Sequence, residues 1–174
     1  MHRSNVIGAA IGLILAGATT SALAEGPTDP QIAHIAYTAG DIDVKTAELA
    51  LQKSKTKTVR AFAEDMVRDH KAVNDKALAL VKKLNVTPED NDTSKGLVKD
   101  ADQERAKLAK LSGAEFDKAY VANEVAYHKT VNGALEKTLI PSSSNAELKG
   151  LLETGLKIFQ GHQQHAEHLL GSLK

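Results

Sequence analysis

The chain contains no cysteine and no tryptophan, and only three phenylalanines and three tyrosines among 174 residues. The missing thiols exclude disulfide staples and thiolate metal sites, so any metal must be held by nitrogen and oxygen. Aromatics at 3% argue against a sandwich or barrel, and no hairpin dipeptide sits between alternating apolar residues. Charge of one sign is also lacking: 22 basic side chains balance 22 acidic ones. That balance leaves no electrostatic footprint for nucleic acid. Long apolar runs are absent apart from residues 6–18.

That run follows a basic start, His2 and Arg3, and leads to Ala22-Leu23-Ala24 before Glu25. Charged start, apolar middle and small residues at the cut site predict a cleavable export signal over residues 1–24. About 13 apolar residues are too few for a bilayer, which needs roughly 20 in a helix. The reading is therefore a periplasmic or secreted protein, residues 25–174, with no integral membrane segment after cleavage. Losing Arg3 leaves 21 basic and 22 acidic side chains, still close to neutral.

What is abundant is Ala, Leu, Lys and Glu, the composition of packed helices. Apolar periodicity predicts helices over about 31–53, 58–84, 95–111, 113–139 and 145–173, an all-α bundle of four long helices. Thr87-Pro88-Glu89-Asp90 reads as a capped turn, Ser112-Gly113-Ala114-Glu115 as a capping box, and Pro141 with three serines as a stop. Nearly thirty residues separate the second and third long helices, far beyond the 2–8 usual between bundle neighbours. The shorter helix between them is read as a crossover along the bundle.

Four polar residues interrupt the apolar seams. His70 sits among Val59, Ala63, Met66, Val73, Ala77 and Leu80; His128 among Val121, Val125, Val131 and Leu135; His162 among Gly155, Ile158, Phe159, Ala166 and Leu169. Asp43 lies on a small-residue line with Ala36, Ala47 and Ala50. Each falls near the middle of its helix, so all four share one layer whichever way the helices run. Three imidazoles and a carboxylate in one layer predict a transition-metal site, with Zn, Cu, Fe and Mn all compatible. Asp69, Glu124 and Asn74 lie beside these ligands as ring-orienting or extra groups, and His165 adjoins His162. His168 is too far round the helix to join them. Met66 reads as core filling and His34 as a surface or helix-start residue.

The competing expectation is a buried His/Asp/Glu/Tyr hydrogen-bond network with no ion, in a non-catalytic structural or stress-related envelope protein. No catalytic triad, phosphate loop or paired acid-base spacing points to an enzyme class.

The stretches VRAFAEDMVRDHKAVN, LAKLSGAEFDKAYVANEVAYHKTV and IFQGHQQHAEHL together resemble the bacterial exported family known as domain of unknown function 4142, over about residues 30–172. Its motifs M-V-x-D-H and L-S-G-x-x-F-D-x-x-Y stand here as Met66 to His70 and Leu111 to Tyr120. The resemblance implies a ferritin-like four-helix domain of no settled activity, with family histidines at His70, His128 and His162. It also implies an acidic position at Asp43, where glutamate is usual, and Asp69 in the D-H pair. The chain departs from ferritin-like iron carboxylate proteins in having no Glu-x-x-His, so their oxidase chemistry does not carry over.

Overall fold

A computed structural model describes residues 26–173; the expected export signal, residues 1–24, lies outside the described residues. The elements are α1 (Asp29–Lys53), α2 (Lys57–Lys83), α3 (Asp92–Leu108), α4 (Gly113–Ala134), a π-helical turn (Leu135–Leu139), α5 (Ile140–Ser142) and α6 (Ala146–Ser172). No described helix is long and apolar enough to cross a membrane.

Local chemistry sets the boundaries. Gln31 reaches back to the Thr28 N–H at 3.2 Å while Pro30 occupies the first turn of α1, where its missing N–H costs nothing. Asn91 caps α3 by accepting from the Ser94 N–H, and Asn145 caps α6 by accepting from the N–H groups of Glu147 and Leu148. The helix expected over 95–111 therefore starts at Asp92, because the cap is Asn91 rather than the preceding Thr-Pro turn. Ser112 makes no side-chain cap; Gly113 instead enters α4 at φ +56°.

Pro141 does not stop the third long helix where the sequence reading placed its end. The Ile140 N–H bonds to Leu135 O, five residues back, and the widened turn lets helical backbone continue through the proline to Ser142. A regular α-turn would press the proline ring against the carbonyl four residues earlier. A π turn relieves that crowding.

The order around the bundle is α2, α1, α4, α6, with α3 laid against α1 and α4. At one end, called upper here, Lys53 Nζ donates to Ala109 O at 2.7 Å and Thr56 to Asp117. At the lower end, Glu89 N–H donates to Pro30 O, Lys83 pairs with Glu147, and Asp29 accepts from Ser143, Ser144 and Asn145. Neighbouring long helices are thus antiparallel, and α3 carries the chain back up the bundle. This is the ferritin-like arrangement with a helical crossover.

The core falls into two clusters. The upper one joins Ala47, Val59, Phe62, Met66, Phe116, Tyr120, Val121 and Ala166; the lower one joins Ile32, Ile35, Leu135, Leu139, Leu148, Leu152 and Phe159. Between them lies a polar layer.

Candidate metal centre

Asp43 on α1, His70 on α2, Glu124 and His128 on α4 and His162 on α6 are all buried in that layer. The three imidazole centroids form a near-equilateral triangle with sides of 5.3, 5.4 and 5.6 Å. Ring nitrogens of the three, one from each, lie within 4.8 Å of one another. The shared mid-helix height expected from sequence is thus present.

Hydrogen bonds fix which nitrogen is bare in two of the three rings. His128 Nδ1 lies 3.0 Å from the Glu124 backbone carbonyl. A carbonyl only accepts, so Nδ1 carries the proton and Nε2 keeps its lone pair. That Nε2 has no hydrogen-bond partner and faces Asp43 Oδ2 at 3.5 Å. In His162, Nε2 lies 3.0 Å from Asp69 Oδ2, which leaves buried Nδ1 bare. Asp69 is itself gripped by Arg68, Nε to Oδ1 at 2.8 Å and Nη2 to Oδ2 at 3.1 Å. Among the described residues His70 has no hydrogen-bond partner on either nitrogen; its ring stacks on Phe159 at 4.4 Å and Nε2 sits 3.5 Å from Asp43 Oδ2.

Burial governs the electrostatics. It pushes the imidazoles of His70, His128 and His162 down, and the neighbouring histidines add to the effect on the first two; His128 falls to about 4. All three are neutral near pH 7 and present lone pairs. Burial also raises Asp43 to about 7. Glu124 is raised well above its usual range by burial and then by the Asp43 charge beside it. For Asp69, burial works upward but is outweighed by Arg68 and His162, so its carboxyl stays ionised. A second donor group, Asp43, Glu124 and His128, also has its ligand atoms within 4.8 Å of one another. Tyr127 borders this side and donates from Oη to Ala39 O at 2.8 Å.

The remaining candidates lie apart from this cluster. His165 is exposed and stands edge-on to Phe62 at 5.1 Å, so it does not join the trio. Asn74 donates to Tyr37 O at 3.3 Å and orients no ring; a Cβ on Gly40 would lie 2.4 Å from its Oδ1, which is why α1 carries glycine there. Met66 is core, with no exposed surface. Sequence reasoning did not find the Phe159 stack on His70 or the Arg68 clamp on Asp69. Phe159 could have been found from its three-residue spacing to His162 on an inward face, whereas Arg68 carried no signal.

The donor set suits a metal in its chemistry: two lone pairs are aimed by fixed tautomers, a third ring is unpartnered, and a carboxylate stands beside them. Buried polar atoms are rarely left without partners, and this layer holds several, including both oxygens of Asp43.

Solved structures resemble this fold. A DUF305 fragment from Deinococcus radiodurans superposes with a TM-score of 0.68 at 18% identity, covering 84% of this chain and 99% of its own. A DUF305 protein from Streptomyces coelicolor, described as a candidate secreted protein, gives 0.68 at 12%, covering 82% and 91%. At such identities the likeness establishes the fold alone. No curated protein matches the chain. The family model for the domain of unknown function DUF4142 matches residues 15–169, the whole bundle bar its last turn, and the chain belongs to that family.

Proposed function

We propose that this is an exported metal-binding bundle in which His70, His128 and His162, assisted by Asp43, hold one transition-metal ion. Residues 1–24 are its export signal and residues 25–174 its single domain. The observation that carries the reading is the set of buried lone pairs on three neutral imidazoles, none with a hydrogen-bond partner among the described residues. A nitrogen-rich set with one carboxylate favours the later divalent ions, Zn or Cu, over Fe or Mn. Bonds of about 2.0–2.1 Å to zinc would draw the ring nitrogens closer together. Asp69 and Glu124 hold rings rather than the ion. No residue is assigned a catalytic role.

The test is metal analysis by mass spectrometry on protein purified without chelator or affinity metal. One equivalent of metal per chain is expected, lost in the triple His70→Ala, His128→Ala, His162→Ala variant. Failure of the wild type to bind Zn, Cu, Fe or Mn on reconstitution rules the reading out.

A second reading, a metal-free envelope protein whose layer is a proton-sharing network, has one observation in its favour. Asp43 Oδ2 stands 3.5 Å from both His70 Nε2 and His128 Nε2, and a carboxyl raised to about 7 can itself be the proton donor. This reading predicts a melting temperature indifferent to chelators.

A further inference from the structure

Below the histidine layer the bundle is hollow. A cavity of about 480 Å³ lies among α1, α2, α4 and α6, with Thr93 and Leu97 of α3 also lining it, and its walls are mostly apolar. Native cores seldom leave voids much larger than a water, and ligand sites typically span roughly 300–1,000 Å³. A void of about 150 Å³ lined by aliphatic groups admits benzene, so this one has room for on the order of 15 heavy atoms. The π turn contributes Leu135, Thr138 and Leu139 to its wall, and such turns recur at functional sites. Exposed Thr130, Ala134 and Thr138 stand at its edge, so the cavity is open to entry from solvent.

Charge decides what kind of molecule fits. Among the described residues no lysine, arginine, aspartate or glutamate lines the cavity, so a charged head group would be desolvated there without a counter-ion. The polar groups toward its inner end are the imidazoles of His70 and His128 with Asn74 and Tyr127 beside them; Asn74 already donates to Tyr37 O and Tyr127 to Ala39 O. His70 has two ring nitrogens without a partner among the described residues; in a neutral imidazole one donates and the other accepts, and a hydroxyl can pair with either.

We propose that this cavity binds a neutral, mostly aliphatic molecule with one terminal hydroxyl, its chain among the four helices and its hydroxyl against His70. The inference goes beyond the metal reading and does not rest on it. When one nitrogen of His70 binds an ion, the other remains for the hydroxyl.

The test is titration of the purified protein with the neutral fluorescent probe N-phenyl-1-naphthylamine, followed by displacement with decan-1-ol or decanoate. Metal content is measured on the same samples, before and after chelation. Saturable binding of one probe per chain is expected, displaced by decan-1-ol at least tenfold more effectively than by decanoate. Two separate variants, Ala36→Phe and Ala77→Phe, fill the cavity away from the ring nitrogens; each should weaken probe binding at least tenfold while retaining the wild-type metal content.

Absence of saturable binding by the wild type overturns the proposal, whatever the variants do. Undiminished binding in a folded filled variant overturns it too, and equal displacement by decanoate overturns the neutral head group. Probe binding in a protein that takes up no metal would sink the metal reading alone. Metal uptake without probe binding would sink this one alone.

Discussion

Above the polar layer, Phe62, Met66, Phe116, Tyr120 and Val121 have no exposed surface at all; below it, Leu135, Leu139, Leu148, Leu152 and Phe159 keep 3–8% and wall a cavity. The same four long helices build both halves, and both read as regular apolar seams. What differs is side-chain volume. Rings fill the upper half, Phe62 edge-on to Tyr120 at 6.2 Å and Phe116 stacked on Tyr120 at 6.1 Å. In the lower half, α1 and α2 offer Ala33, Ala36, Ala39, Gly40 and Ala77 to the cavity. An apolar pattern fixes which face turns inward, while residue size decides whether the interior closes.

The sharpest way to break this contrast is to truncate one large residue in each half. Phe62→Ala should cost about 3–5 kcal/mol, whereas Leu152→Ala should fall near the low end of its class, about 2 kcal/mol, because a wall residue has fewer contacts to lose. Urea unfolding of the two variants beside the wild type measures both. Equal losses would mean that the lower half is packed as tightly as the upper.

The layer between the halves supplies the next test, on protein stripped of metal. Asp43 faces His70 on α2, and His128, Glu124 and Tyr127 on α4. Its carboxyl is raised from 3.8 to about 7. A raised carboxyl holds its proton when folded and loses it when unfolded, so its contribution to stability declines as pH rises from about 4 to 7. The histidines act oppositely. Depressed from 6.5, to about 4 for His128, they stay neutral when folded and charge when unfolded. Stability therefore falls as pH drops below about 6.5. The two slopes should give the metal-free protein a stability maximum between about pH 6 and 7. Asp43→Asn should gain stability relative to the wild type with every step from pH 4.5 to 7, as followed by chemical denaturation. A stability difference independent of pH would mean that Asp43 is ionised in the folded state.

Much of this was legible in the sequence. His70, His128 and His162 could be placed at one height because each broke an apolar seam at mid-helix, and helix geometry converts sequence position into depth. Asp43 was found by the same logic. Glu124, read as a ring-orienting or extra group beside His128, lies one turn before it and is buried, as four-residue spacing on an inward helix face requires. His165 misled because sequence adjacency to His162 says nothing of facing: three residues on, its ring lies against Phe62. The hollow lower half was invisible, since alanines on a seam read as core whether or not a neighbour reaches them. The π turn at Leu135 was hidden likewise, because a proline signals an end more often than a detour.

Asp69 gives the smallest effect and tests whether the layer is organised for an ion or merely for itself. It is partly exposed and touches no group of the proposed site except His162, holding Nε2 at 3.0 Å so that Nδ1 faces inward bare. Asparagine in its place can turn its NH2 toward the ring, take the lone pair of Nε2 and move the proton to Nδ1, the wrong nitrogen for a ligand. If His162 binds metal through Nδ1, Asp69→Asn should weaken metal affinity by about 10- to 100-fold, the usual range for loss of a ring-orienting partner. The melting temperature of the metal-free protein should hardly move. Competition against a chelator of known affinity reads the first quantity and a thermal scan the second. If the metal-free melting temperature drops instead while affinity is unchanged, Asp69 and His162 serve the packing of α2 on α6, and His162 is not a ligand.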